Sequence, residues 1–541
     1  MAENYTEQPS QPVTAAGRYE QLSTQRSPAL TRARDAAVLT IPALLPPESA
    51  NDATDLPTPF QSVGARGVNN LASKLLLALF PPGSSFFRLK VEAFLMDQLL
   101  AKAKQAGQED PKNEIEAALS KVERAVNSKL EQQAARPVLS EMFKHLITGG
   151  NGLLQILKTG ALKFHALDRY VVKRDADGEP VEIIVREGLS RKTLPPAARA
   201  IVEAENTNTD DQTQKDTKDI IWLYTWIRRQ EEGSWKVHQE ICGKQIPGTT
   251  GSYPKNKSAW LPLRWQRVSG SDYGRGHCEE YIGDLRSLES LSQSIIDFAA
   301  NAAKVVWLVN EGGVTSKKKL EEAASGAVID GEEKDVGKLS LDKFPDFQVV
   351  KATATDIEHR LEQAFLLNSS IQRQAERVTA EEIRFMAGEL EQALGGTYSV
   401  LAQELQYPLV VRLMLVMQNA SELPRLPEKI VSPQIVTGLD GLGRSNDAMK
   451  LDLLLTGMVQ TFGPEAIVEY WNVGAYSKRK ADALSIDIEG IVRSEQEVQA
   501  ARAQRAQQAM LEKLAAPTVK AMSDQALAAK QAPTGAAPDE T

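Results

Sequence analysis

Apolar positions recur at helical spacing along most of this chain. Val68, Leu71, Leu75 and Leu79 fall on one helix face, inside a stretch where Leu75 to Phe80 are all apolar. Pro81-Pro82-Gly83 ends that helix, and FFRLKV after it reads as a strand. Upstream, Ser27 reads as an N-cap with Pro28 at the first helical position, and Val38 and Ile41 carry the apolar face to Pro46-Pro47. Residues 91–150 read as mostly helical, with Ile115, Leu119, Val122 and Val126 on one face, until Gly149-Gly150-Asn151-Gly152 breaks the pattern. Strand character then takes over in GLLQILK, RYVVKR, VEIIVREG, DIIWLYTWIRR and SWKVHQEI. Asp177-Gly178 lies between two of these runs as a hairpin signal, and the polar residues 203–219 read as a loop.

Residues 276–309 contain no proline, and Tyr281, Leu285, Leu288, Ile295, Ala299, Ala302 and Val306 keep one apolar stripe. A helix of about 30 residues would be roughly 50 Å long, too long for most compact domains. Asn310 and Gly312-Gly313 end it, and a mixed segment, 311–350, follows. Thr355 and Glu358 form a capping box for a return helix through Leu361, Phe365 and Leu366. Asn368-Ser369-Ser370 interrupts the return. Thr379 and Glu382 open another long helix, expected to break at Gly395-Gly396 and kink at Pro408. From about 435 the chain is helical again, with a capping box at Ser494 and Glu497. Neither helix of the out-and-back pair buries both its faces, and the natural partners are copies of the same chain packed side by side in a ring.

Composition narrows the function. The 541 residues are 42% hydrophobic and 25% charged, ordinary for a soluble protein of several domains. The net charge is −8, and the pI is about 5.5. Such a chain does not coat nucleic acid by bulk electrostatics, because that affinity comes from Lys and Arg displacing counterions. Two cysteines, Cys242 and Cys278, make no disulfide framework or zinc spacing and suit a reducing cytosol. The N-terminus is polar without a signal pattern, and LLLALF is far short of the ~18 residues a membrane span needs.

Catalytic motifs are lacking. There is no G-x-x-x-x-G-K-[S/T], so no P-loop. GGNG at 149–152 lacks the lysine, and GLDGLG at 438–443 follows no clear strand. GSDYG at 270–274 has Asp where a nucleophile elbow needs Ser. DADGE at 175–179 begins like a calcium loop, but Arg186 stands where the loop's twelfth-position glutamate belongs. His277-Cys278-Glu279-Glu280 would point different ways on a helix and reads as a solvated helix start. Lys317, Lys318 and Lys319 read as a solvated loop or a contact for DNA or an acidic partner.

Long blocks of this sequence resemble those of portal proteins, the head-to-tail connectors of short-tailed bacteriophages (podoviruses, autographivirus-like). They are SPALTRARDAAVLTIPALLPP, LPTPFQSVGARGVNNLASKLLLALFPPGSSFFRL, RPVLSEMFKHLITGGNGLL and QRQAERVTAEEIRFMAGELEQALGGTYSVLAQELQYPLVVR. The likeness covers nearly the whole chain, apart from the termini, the 195–218 loop and the end of the crown region. It implies an α+β, mainly helical portal fold with wing, stem, clip and crown, assembled as a ring of twelve around a channel. Transferred onto this chain, 1–16 is a disordered arm, 17–275 the wing, 276–309 the stem helix, 310–354 the clip and 355–367 the return stem helix. Residues 368–378 are the tunnel loop, 379–434 a long kinked wing helix, 435–515 the helical crown and 516–541 a disordered tail.

The resemblance further implies a virion protein at the portal vertex, assembled in the bacterial cytoplasm. Its implied partners are its own copies, double-stranded viral DNA, the terminase large subunit, major capsid and scaffolding proteins, tail adaptors and internal core proteins, with no cofactor, catalytic residue, metal or membrane. In the tunnel segment, NSSIQRQAERV, Arg373 and Arg377 recur four apart, so a helical turn puts both on one face toward DNA. The alternative pairs them with Glu376, Glu381 or Glu382 of a neighbouring subunit. Lys317, Lys318 and Lys319 fall in the clip as a contact site. An acidic conduit with few basic rings fits a channel that must not grip its cargo. Two other readings stay open: a helical tail adaptor or assembly scaffold without a channel, and an enzyme, for which no paired carboxylates or nucleophile with base are visible.

Overall fold

The structure, a computed structural model, describes residues 14–50, 53–82, 85–91, 96, 111–206, 220–302, 306–339, 344–367, 380–425, 431–435 and 451–463, with scattered residues from 471 to 508. The chain divides into two units, Met1–Gly441 and Leu442–Thr541.

The first helix, α1 (Ala15–Val38), starts well before Ser27, at a Thr14 cap whose hydroxyl accepts from Gly17 N at 3.1 Å. Pro28 therefore lies inside a helix rather than at its start. Ala15 N also donates to Glu240 Oε2 at 2.6 Å, so the ordered chain begins before the expected 1–16 boundary; residues 1–13 lie outside the described residues. Helix α2 (Val63–Leu79) is the apolar block, and Leu71, Leu75 and Leu79 are fully buried. The expected strand follows as β1 (Phe87–Val91). Helices α3 (Pro111–Gln132) and α4 (Ala135–Gly149) bury Leu119, Val122, Val126, Leu139, Met142 and Phe143 in the same core as α2.

Helix α4 stops because Gly150 is left-handed, with φ +73°, and because the chain comes so close there that a β-carbon would sit 2.3 Å from the Arg275 carbonyl carbon. The β region comprises β2 (Asn151–Ile156), β3 (Leu162–His165), β4 (Tyr170–Arg174), β5 (Pro180–Ser190), β6 (Ile220–Arg229), β7 (Trp235–Ile241), β8 (Lys244–Gln245), β9 (Gly251–Tyr253) and β10 (Trp260–Arg264). All pairs are antiparallel: one sheet runs β4-β5-β6-β7-β8 with β9 on β7, and another runs β10-β2-β3. DADGE is the β4–β5 turn, closed by Asp175 N donating to Glu179 O. Helix α5 (Pro196–Asn206) occupies the start of the expected 203–219 loop, and 207–219 lie outside the described residues. Tyr19 and Leu22 of α1 pack with Val171, Ile184 and Trp226, while Leu30 and Ala33 join Val172, Ile183 and Val237.

The expected single helix over 276–309 is a one-turn α6 (His277–Glu280), α7 (Ile282–Ala302) and a strand, β11 (Val306–Val309). At 21 residues α7 is about 32 Å long, not 50 Å. The run VWLV, with β-branched Val306 and Val309 around Trp307, pairs as a strand instead of extending the helix. After α8 (Lys317–Glu322), β12 (Val336–Leu339) returns antiparallel to β11, with Val306 opposite Leu339 and Val309 opposite Val336. Asp335 organises the loop between them. Its Oδ2 accepts from Val314 N at 2.7 Å, Thr315 N at 3.0 Å and Thr315 Oγ1 at 3.2 Å.

The return helix, α9 (Phe344–Ala364), begins eleven residues before Thr355. Thr355 Oγ1 donates to Lys351 O within the helix, so it caps nothing. Helices α7 and α9 pack antiparallel: Phe298 and Phe347 stack at 4.7 Å near one end, and Asp284 pairs with Arg360 at 3.2 Å near the other.

Helix α10 (Ala380–Leu401) runs unbroken through Gly395-Gly396, then passes through a π-helical turn, Ala402–Gln406, into α11 (Tyr407–Asn419). Pro408 explains the turn, because it removes the N–H that would bond Glu404 O, and Tyr407 N reaches back to Ala402 O. The helical stretch Gln392–Asn419 is long and apolar enough to cross a membrane by length and composition. Here it is a core element, with Leu401, Leu405, Leu409, Val410 and Leu413 fully buried. The helix expected through 434 ends at Asn419, and β13 (Val431–Ile435) pairs antiparallel with β1.

In the second unit, 451–463 are helical, and Asp452 Oδ1 accepts from Lys480 Nζ at 2.7 Å and from the Tyr476 hydroxyl. The capping box at Ser494 and Glu497, the GLDGLG segment and 516–541 lie outside the described residues.

Candidate functional site

Side chains from four elements converge where the helix pair meets the α2 block. Helix α9 ends in a Schellman arrangement: Leu367 N bonds Glu362 O at 2.7 Å and Leu366 N bonds Gln363 O at 3.1 Å. The residue in the left-handed position is Leu366, with φ +54°, where glycine is usual. That conformation costs a non-glycine residue roughly 1–2 kcal/mol, so it needs outside support.

Helix α2 supplies it. Asn70 Nδ2 donates to Phe365 O at 3.2 Å and Leu366 O at 3.1 Å, and Lys74 Nζ donates to Leu366 O at 2.8 Å. A cation at the carbonyl end of a helix is also favoured by the helix dipole. Gly67, one turn earlier, leaves the space that the Phe365 ring fills. His277 closes the pocket from α6. Its Nε2 lies 3.0 Å from Ala364 O, which can only accept, so Nε2 carries the proton. Its ring meets Trp265, Tyr281 and Phe365, and burial lowers its pKa. At the other end of the block, the Glu289 carboxylate on α7 accepts from Phe60 N at 2.9 Å and Gln61 N at 3.2 Å. One segment, Phe60 to Lys74, thus grips both helices of the pair.

The sequence-predicted site residues that the structure describes, Lys317, Lys318 and Lys319, fall elsewhere. Arg373 and Arg377, with Glu376, lie outside the described residues. Lys317, Lys318 and Lys319 sit exposed at the start of α8, in the loop that Asp335 organises. His277 and Cys278 are buried, not solvated as expected, and burial pushes the Cys278 thiol up to about 12. Among the described residues no cluster of His, Cys, Asp and Glu could hold a metal. The GSDYG loop is structural: Asp272 accepts from Lys173 Nζ at 2.9 Å and Arg174 N at 2.7 Å. Sequence reasoning missed Asn70 and Lys74. Their signal was present, because Gly67, Asn70 and Lys74 follow helical spacing on the face that also carries Leu71 and Ala78, where a lysine is out of place unless it has a partner.

A family model described as bacteriophage head to tail connecting protein matches residues 13–492. The portal protein of Escherichia phage T7 is 39% identical over 527 residues, 96% of this chain and 95% of that protein. The portal protein of Enterobacteria phage SP6 is 33% identical, over 90% of this chain and 92% of that one. A solved chain from the neck of an empty gene transfer agent particle, computed with C6 symmetry, aligns with TM-score 0.38 and 12% identity, covering 79% of this chain and 90% of that one.

The chain belongs to the family of bacteriophage head-to-tail connecting proteins, the portal class. It is a structural virion component, the portal at the capsid vertex where head meets tail and through which DNA passes, and not an enzyme.

Proposed function

We propose that the chain forms a closed ring of twelve subunits around the DNA channel, with 17–275 as wing, the 276–309 and 355–367 segments in the stem, and 310–354 as clip. On this reading 368–378 borders the channel, 379–434 completes the wing and 435–515 forms the crown. The observation that carries it is the α7/α9 pair, which leaves Ile296 and Val349 exposed at 49% and 66%, with Leu308 on β11 at 53%. Apolar area of this kind contributes roughly 25 cal/mol per Å² when a neighbour covers it, and side-by-side copies closing a ring cover it on every subunit. Arg373 and Arg377 meet passing DNA, and the exposed Lys317, Lys318 and Lys319 meet an acidic surface of a clip partner. The terminase large subunit, major capsid and scaffolding proteins, tail adaptors and internal core proteins are the proposed partners, with assembly in the host cytoplasm.

Imaging and native mass of the purified chain test the ring: closed particles with a central hole are expected, and monomers or dimers alone at micromolar concentration would sink it. Arg373→Ala with Arg377→Ala separates the two roles for those arginines. An intact ring with altered packaging or genome retention supports DNA contact, whereas loss of the ring makes them interface residues.

A further inference from the structure

We propose that Lys74 is a two-ended positioning clamp, holding the end of α9 and the body of α10 on one rigid helix and so fixing the chain on both sides of residues 368–379. Lys74 Nζ lies 2.8 Å from Leu366 O, the carbonyl of the left-handed residue that ends α9. The same Nζ lies 3.2 Å from Glu389 Oε2 on α10. The lysine itself is only 5% exposed, on a helix face otherwise given to the core.

An apolar side chain would suit that environment better on burial grounds alone. A buried cation persists when it is paired and hydrogen-bonded, and here both requirements are met by groups that flank one segment from opposite sides. Asn70 holds only the first of these flanks, through Phe365 O and Leu366 O. The strained φ of Leu366 has the same sense, since such conformations persist where the surroundings over-determine them. Because Glu289 ties α7 to the start of the α2 block, a shift of the helix pair against α2 would reach both flanks together. The consequence for DNA passage rests on the reading that 368–378 borders the channel; the clamp itself does not.

Hydrogen exchange on the assembled ring separates the possibilities. Lys74→Met keeps the length of the side chain and removes its charge. It is expected to speed amide exchange at least tenfold in 361–367 and in 384–392, with α3 and the β4–β7 sheet unchanged. Lys74→Arg is expected to stay near the parent. Asn70→Ala is expected to loosen 361–367 alone, and it carries the test of the first flank if Lys74→Met fails to form rings. Unchanged exchange in 384–392 in Lys74→Met rings overturns the clamp, as does a rise spread evenly through the whole core. The amount of DNA packaged by Lys74→Met particles forms a separate arm: local loosening with normal packaging keeps the clamp and removes the channel reading of 368–378.

Discussion

Gly67 and Phe365 meet face to face where the return helix lands on the α2 block: a β-carbon on Gly67 would lie 2.5 Å from Phe365 Cγ and 2.8 Å from Cδ2. Phe365 is fully buried, so the ring has little room to retreat. Gly67→Ala should therefore destabilise the chain by roughly 1–3 kcal/mol through overpacking. Shortening the opposing side chain, Phe365→Leu, should recover part of that loss in the double variant. Thermal midpoints of the four proteins check this, and strict additivity would remove the contact from the explanation.

Asp335 gathers three donors from Val314 and Thr315, and it is largely buried. Hydrogen bonds to a charged acceptor are worth about 1.5–3 kcal/mol each. Asp335→Ala should open the 310–335 loop locally and leave the main core intact. Limited proteolysis should then show new cuts within 310–335 with little change in the principal thermal transition.

Glu404 sits on the π-helical turn that Pro408 forces. It receives Arg264 N at 3.1 Å, Arg264 Nη2 at 2.7 Å and Arg267 Nε at 2.9 Å. Arg264 is 3% exposed, and its charge helps burial to lower the pKa of Arg174 to about 10. Glu404→Ala leaves the buried Arg264 guanidinium without its carboxylate and should cost about 3–5 kcal/mol, whereas Arg267, 40% exposed, adds little. A fall in the denaturation midpoint smaller than that of Gly67→Ala would contradict the assignment.

Burial lowers the pKa of His145 from 6.5 to about 4, and its ring packs on Phe164 at 4.8 Å. The unfolded chain takes up the proton first as pH falls. The stability is therefore intact above about pH 6.5 and is lost progressively down to about pH 4, by up to roughly 3 kcal/mol. His145→Leu removes this contribution. Thermal scans from pH 7 to 4.5 should show a flatter decline for the variant than for the parent, and parallel declines would refute the linkage.

Cys242 is exposed and Cys278 is buried with its thiol held protonated. The thiolate is the reactive form, so a maleimide or disulfide reagent at pH 8 should label one thiol per native chain. Mass spectrometry should find the label on Cys242, with Cys278 joining only after denaturation.

Much of this architecture is legible in the residue pattern alone. The apolar stripe of Val68, Leu71, Leu75 and Leu79, the α3 face, the β runs from 151 to 241 and the turn at Asp177-Gly178 all follow from local periodicity and turn chemistry. The expected breaks that failed are of one kind. Ser27, Thr355 and Gly395-Gly396 carry local signals for helix ends, yet helices run through all three, because packing of the flanking turns outweighs a cap preference of about 1 kcal/mol. The strands β11 and β13 were hidden for the opposite reason. Each depends on a partner far along the chain, Val336–Leu339 for one and Phe87–Val91 for the other.

By itself the sequence determined the family, the amphipathic faces and the acidic balance, since these lie in residue identity and short-range spacing. It also held Gly67, Asn70 and Lys74 on one helical face. Only the tertiary structure decided what that face meets, because the carbonyls of Phe365 and Leu366 and the carboxylate of Glu389 lie about three hundred residues away and carry no mark of the contact in their own local pattern. A buried lysine is stable only beside such groups, and long-range chain folding is what brings them there.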